Sequence, residues 1–65
     1  MDYYAWSQEY TENARSIQNT IDKLKRQKYS CTYTDRLDLE SKIKRYRSIR
    51  NDLLKIADLL MRRAG

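Results

Sequence analysis

The apolar residues of this chain recur at steps of three and four in two separate stretches. This spacing puts side chains on one face of an α-helix with nearly a heptad period, so it predicts two amphipathic helices. The first stripe consists of Tyr3, Trp6, Tyr10, Ala14, Ile17, Ile21 and Leu24. The second consists of Leu39, Ile43, Tyr46, Leu53, Ala57 and Leu60, with Arg50 where one more apolar residue would fall.

The segment between the stripes is rich in β-branched, aromatic and hydroxyl side chains, which compete with helix. Its candidate N-caps for a second helix are Thr32, Thr34 and Asp35. Proline is absent and the only glycine is Gly65, so the sequence contains few other breaks. We predict one domain over residues 1–65, with helix 1 at about 2–28, a turn at about 29–33 and helix 2 at about 34–63.

A short link between two long amphipathic helices favours an antiparallel hairpin. Folding the chain about residue 32 makes the two stripes face each other, pairing for example Ile21 with Ile43 and Trp6 with Ala57. The small Ala14 falls opposite Arg50. This would let the aliphatic part of the Arg50 side chain cross the seam, the line of contact between the two helices, while its guanidinium group reaches water. The predicted fold class is therefore all-α, a coiled-coil-like two-helix hairpin.

The length of 65 residues limits the core that such a hairpin can bury alone. The chain has one cysteine and no histidine, which excludes an intrachain disulfide and the usual cysteine and histidine zinc sites, and we expect no cofactor. The lone Cys31 lies in the predicted turn. It is interpreted either as a tolerated loop thiol or as a site of intermolecular disulfide formation or redox sensitivity.

The end of the hairpin that holds both chain ends has more apolar residues than the seam between two helices requires. The surplus residues, which we predict to form an interface, are Tyr4, Trp6, Leu54, Ile56, Leu59 and Met61. A wide apolar surface usually marks an interaction site. We expect a homodimer that completes a four-helix bundle through this end, or another helical protein as the partner.

Charge is distributed unevenly along the chain. Residues 1–22 carry a net charge of −3, and residues 23–50 carry ten basic side chains against three acidic ones, a net charge of +7. The stretch KIKRYRSIR at residues 42–50 is the densest part. Because Tyr46 belongs to the seam, we expect that it does not stack on a base. This stretch fits a solvated outer helix face, a polyanion-binding surface or a surface for an acidic protein.

The polyanion interpretation concerns the cationic side chains near the turn. The candidate nucleic-acid contacts are Lys25, Arg26, Lys28, Lys44, Arg45 and Arg47. Neither a helix-turn-helix spacing nor a basic region continuous with a zipper accompanies them. Binding of phosphate backbones would therefore be weak, salt-sensitive and independent of sequence.

Catalysis is not expected, because the sequence has no histidine, no glycine-rich phosphate loop and no serine beside a plausible base. We therefore predict that the protein is not an enzyme and has no small-molecule substrate. No apolar run is long enough to span a membrane, and Met1-Asp2-Tyr3-Tyr4 does not start like a signal peptide. The expected location is the cytoplasm.

Three segments carry a resemblance to known proteins. They are Tyr3-Tyr4-Ala5, Ile21-Asp22-Lys23-Leu24-Lys25 and the closing Leu53-Leu54, Ala57, Leu60 and Arg62-Arg63-Ala64. Together they resemble small helical-hairpin proteins of prophages and conjugative elements of Gram-positive bacteria, which have no assigned function. The resemblance implies a hairpin and a mobile-element origin. A weaker likeness is to small hairpin partners of specialised secretion substrates, whose Trp-x-Gly turn is absent here because Ser7-Gln8 follows Trp6.

Overall fold

The protein is a rod made of two long helices that pack side by side. A computed structural model describes residues 2–64, and Met1 and Gly65, the ends of the predicted domain, lie outside the described residues. Helix α1 spans Tyr3–Gln27 and helix α2 spans Tyr33–Ala64. The rod measures 48 × 14 × 13 Å, and no strand occurs within residues 2–64. The predicted all-α helical hairpin is confirmed.

Helix α1 begins with a capping residue that the sequence analysis did not single out. The Asp2 carboxylate accepts a hydrogen bond from the Ala5 backbone N–H at 3.0 Å, while the Asp2 carbonyl accepts one from the Trp6 N–H. Aspartate is among the preferred N-caps because its side chain satisfies an N–H group that has no partner within the helix. Asp2 therefore fixes the first turn of α1.

The reversal between the helices uses ordinary backbone conformations. Helix α1 runs into a single 3₁₀ turn at Lys28–Ser30, and Cys31 is extended with φ −110° and ψ 166°. Thr32, one of the three candidate caps, accepts a hydrogen bond from the Asp35 N–H through its hydroxyl at 3.3 Å. No residue from 2 to 64 has a positive φ, so the turn needs no glycine.

The seam follows an alternation of four- and three-residue steps. The buried positions on α1 are Ser7, Ala14 and Ile21, and those on α2 are Ile43, Ala57 and Leu60. Between them lie the half-buried seam residues Tyr3, Tyr10, Ile17, Leu24, Leu39, Tyr46, Arg50 and Leu53. All six apolar residues of the predicted α2 stripe are therefore buried or half-buried.

Trp6 is an exception to the predicted α1 stripe. Its side chain is 39% exposed, whereas the neighbouring Ser7 is fully buried, so the predicted facing of Trp6 and Ala57 across the seam is wrong. Counting back by sevens from Ile21 and Ala14 leads to Ser7, which keeps the heptad register. The Ser7 hydroxyl donates to the Tyr4 carbonyl at 2.7 Å, so its burial leaves no unsatisfied polar group.

Arg50 lies in the seam beside Ala14, as the small size of Ala14 predicts. The two residues line one shallow groove, and Ala14 is buried while Arg50 is half-buried. The Arg50 guanidinium donates to the Gln18 side-chain oxygen across the seam, and also to Asn51 Oδ1 at 2.9 Å and 3.2 Å. Gln18 in turn donates to Asp22 at 3.0 Å. The seam therefore contains one charged residue whose hydrogen bonds link both helices.

Candidate interaction surfaces

The six apolar residues predicted to form an interface are all exposed. They lie in the half of the rod that holds the start of α1 and the end of α2, which we call the terminal half. The exposed fraction ranges from 38% for Ile56 to 57% for Leu59. The other half, which contains the turn, is called the turn half.

The six residues do not form one patch, because the seam separates them into two faces. Residues seven apart lie almost above one another on a helix, so the members of each face recur every seven residues beside the buried seam positions. We call one the Trp6 face. Its members are Trp6, Asn13, Thr20 and Gln27 of α1, and Lys42, Ile49, Ile56 and Arg63 of α2 with Leu59 beside them.

The opposite side is called the Leu54 face. Its members are Tyr4, Thr11, Gln18 and Lys25 of α1, and Glu40, Arg47, Leu54 and Met61 of α2. The contacts between the helices agree with this division. Thr11 and Gln18 share one groove with Leu54, whereas Gln27 shares a different groove with Lys42.

Ile49 belongs to the Trp6 face and was missing from the predicted interface residues. Its side chain is 40% exposed, close to the value for Ile56 seven residues later. The sequence contained the signal, since a spacing of seven places Ile49 and Ile56 on one flank of the same helix. The Trp6 face therefore presents four large apolar side chains, those of Trp6, Ile49, Ile56 and Leu59.

Trp6 is held in a row of aromatic rings. Its ring centroid lies 6.4 Å from that of Tyr3, with an angle of 15° between the ring planes, and 6.4 Å from that of Tyr10, with an angle of 41°. Tyr3 and Tyr10 are half-buried in the seam, so they support the indole from both sides along α1. A large aromatic side chain that is positioned before binding loses little conformational freedom on contact, which is typical of interface anchors.

The cationic side chains of the turn half are also divided. Lys25, Lys28, Lys44 and Arg47 line one groove together with Glu40. Arg26 and Arg45 are exposed and do not line this groove, so the structure brings together four of the six predicted nucleic-acid contacts.

Lys28 is less available than its neighbours. Its ammonium group lies 3.2 Å from the Glu40 carboxylate on the other helix, and its side chain is half-buried. Lys25, Lys44 and Arg47 are exposed. The groove thus has three exposed cations beside an ion pair that joins the helices.

Two exposed tyrosines lie near the turn that the sequence analysis did not select. Tyr29 is 90% exposed and lines a groove with Lys25, Lys28, Arg36 and Glu40, while Tyr33 opens α2 with its ring 74% exposed. Tyr46, by contrast, is half-buried in the seam. The aromatic residue next to the cationic groove is therefore Tyr29.

Cys31 is half-buried in the turn, and its thiol donates to the Lys28 carbonyl at 3.5 Å. Among residues 2–64, no group of three or more histidine, cysteine, aspartate or glutamate side chains is placed to hold a metal ion. Over the same residues, neither helix is apolar enough along a sufficient length to cross a lipid bilayer.

Comparison with known proteins finds no match: no family model, curated protein or solved structure is similar to this chain. The resemblance to hairpin proteins of mobile elements stays a hypothesis. The surfaces described above are the features from which a function can be argued.

Proposed function

We propose that the chain is a non-catalytic helical interaction module that works as an antiparallel homodimer joined through the terminal halves of two hairpins. The observation that carries this proposal is the exposure of six large apolar side chains in one half of a thin rod. A two-helix hairpin leaves much of each helix facing water, and pairing two hairpins encloses a four-helix core.

Charge favours the antiparallel arrangement. The central residues 23–50, which contain the turn and most of the turn half, carry a net charge of +7, and side-by-side turn halves would repel each other. Residues 1–22, most of which lie in the terminal half, carry a net charge of −3, and residues 51–65 carry +1. An antiparallel two-fold dimer separates the two basic turn halves, because each one extends beyond the terminal half of the other copy.

Sedimentation equilibrium over a wide range of protein concentrations tests the proposal. We expect a reversible monomer–dimer equilibrium for the unmodified chain. Leu54→Glu combined with Leu59→Glu should give a folded monomer, because the pair places one carboxylate on each face. Ser41→Glu combined with Ser48→Glu adds the same charge at exposed α2 positions off both faces and should leave the dimer intact. A folded monomer of the unmodified chain at the highest concentrations would contradict the proposal.

A second candidate function is non-specific binding of nucleic-acid phosphates at the turn half. It is supported by the groove with the exposed Lys25, Lys44 and Arg47, next to the exposed ring of Tyr29. Lysine and arginine side chains attract phosphate backbones through counterion release, and a tyrosine ring can stack on an unpaired base.

The two functions respond differently to salt. Binding of labelled DNA or RNA should weaken by orders of magnitude between low and physiological salt, whereas an apolar dimer contact should persist. Lys44→Glu with Arg47→Glu should abolish retention of the nucleic acid at low salt, and Lys55→Glu in the terminal half serves as the control. Absence of binding to both nucleic acids at low salt would remove this candidate.

A further inference from the structure

The two faces of the terminal half differ in what surrounds their apolar side chains. On the Trp6 face, the α1 residues that follow Trp6 at intervals of seven are Asn13, Thr20 and Gln27, all uncharged. The matching α2 positions between Lys42 and Arg63 are Ile49 and Ile56. A partner that covers the middle of this face would bury apolar and neutral polar groups.

On the Leu54 face, charged groups border the apolar side chains. Leu54 lines a groove with Arg15 and Arg50, and Arg50 is engaged with Gln18 and Asn51. Next along this face come Arg47 and Lys25, and then the Lys28–Glu40 ion pair. Covering this face would take several charges out of water, which is costly unless each one finds a partner.

We infer that two copies of the chain pack Trp6 face against Trp6 face in an antiparallel, two-fold dimer, with Trp6 as the anchor of the contact. This inference rests on the proposed dimer and specifies its contact surface and direction. Two-fold symmetry requires a patch that is complementary to itself. On this face the Trp6 ring and the Ile49 side chain lie at different heights along the rod, so Trp6 of each copy can contact Ile49 of the other. Trp6 is held between Tyr3 and Tyr10 before any partner arrives.

The heights of these residues along the rod fit the antiparallel direction. Trp6 and Ile56 lie at nearly the same level, and Ile49 lies two turns, or about 10 Å, nearer the turn. A two-fold axis between these levels brings Ile49 of one copy against Trp6 and Ile56 of the other. Lys42 then lies about 10 Å further on, at the level of Arg63 and Asp2 of the other copy.

Charge on the same face supports this direction. The charged residues beside the Trp6 face include Lys23, Asp38 and Arg45 in the turn half and Asp2, Glu9 and Asp52 in the terminal half. With Lys42 and Arg63 of the face itself counted, this side of the rod is net basic in the turn half and net acidic in the terminal half, so the antiparallel direction brings unlike charges together. A parallel dimer would instead place Lys42 of one copy against Lys42 of the other.

A matched pair of double variants distinguishes the two faces. Ile49→Glu with Ile56→Glu alters the Trp6 face, and Leu54→Glu with Met61→Glu alters the Leu54 face. Both pairs lie on α2 with a spacing of seven, and all four side chains are exposed to similar extents, between 38% and 44%. We expect the first pair to weaken dimerisation by at least ~100-fold, about tenfold for each of the two substituted positions, and the second by only a few-fold.

The outcomes separate the inference from the proposed function. If the second pair breaks the dimer and the first does not, or if both break it equally, the Trp6 face is not the contact, although the dimer stands. If the unmodified chain never dimerises, the proposed function fails instead. Circular dichroism of each variant verifies that the helices remain folded.

Fluorescence of the unmodified chain gives a test without any variant on the contact. Trp6 is the only tryptophan, and its side chain is 39% exposed in the hairpin. Its emission should shift to shorter wavelength, and acrylamide quenching should fall, over the same concentration range in which the dimer forms. Unchanged emission through that range would overturn the assignment of the Trp6 face.

A distance measurement tests the direction. Ser30→Cys with Cys31→Ser moves the single thiol of the chain to an exposed position of the turn, where a spin label can be attached. In the antiparallel dimer the two labels should lie about 60 Å apart, since each turn is about twenty residues from the axis along its rod. A short distance, or ready disulfide formation between two such chains, would instead show a parallel dimer and overturn the inferred direction.

Discussion

The terminal half and the turn half of the hairpin share one heptad seam but differ in the size of the side chains within it. In the turn half, Ile21 and Ile43 are both buried, and the surrounding surface is strongly charged. In the terminal half, the small Ser7 and Ala57 are buried together with Leu60, and further large apolar residues lie outside the seam. The comparison shows that hydrophobicity alone does not identify core positions, because the register of the heptad also decides which residues face the partner helix.

The largest expected effect concerns the turn half. Ile43→Ala should lower the free energy of unfolding by about 2–4 kcal/mol, because it removes buried methyl groups and leaves a cavity against α1. Lys44→Ala, one position further on the exposed surface, is the control and should change it by less than about 0.5 kcal/mol. Urea unfolding measures both. Equal effects of the two substitutions would contradict the seam described for the turn half.

A smaller effect is expected at the corresponding place in the terminal half. Ser7→Leu should destabilise the hairpin by about 1–3 kcal/mol, because the position has no room for added methyl groups. Ser7→Ala should be nearly neutral, since it removes a hydroxyl whose hydrogen bond goes to the carbonyl of its own helix. Thermal unfolding of the two variants compares them. A stabilising Ser7→Leu would mean that small residues are not required there.

The smallest effect concerns the ion pair of the turn half. Glu40→Gln should reduce stability by no more than about 1 kcal/mol at low salt, and by less at high salt, because the Lys28–Glu40 pair is partly exposed and screened. Asp58→Asn, which breaks the more exposed Asp58–Arg62 pair of the terminal half, should have an even smaller effect. Urea titrations at two ionic strengths measure both. A large, salt-independent loss for Glu40→Gln would show that the pair has a role in packing.

The pattern of the sequence was sufficient to predict the two helices and the seam placement of Arg50, and to include Thr32 among three candidate caps. These features follow from local spacing and from the size of Ala14, which a sequence displays directly. The Trp6 error came from preferring the more apolar of two adjacent residues. The correct choice, Ser7, depends on the continuous register of the heptad and on a hydrogen bond to the Tyr4 carbonyl that hides its polarity.

The candidate surfaces were harder to predict than the fold. The sequence shows which apolar residues are not required to fill the seam. Their division between the Trp6 face and the Leu54 face depends on the corrected register. The pairing of Lys28 with Glu40 likewise requires the relative height of the two helices. Exposure of Tyr29 depends on the 3₁₀ turn at Lys28–Ser30, which has no clear signature in the sequence.

The absence of any positive φ from residue 2 to residue 64 also has a consequence for the evolution and engineering of the protein. A hairpin whose reversal depends on glycine can accept few substitutions at that point. Here the chain reverses through a 3₁₀ turn, an extended Cys31 and the Thr32 cap, so neither Tyr29 nor Ser30 has to be a residue that tolerates a positive φ. The tip of the rod can therefore accept many residue types at these two positions while the two helices keep their register.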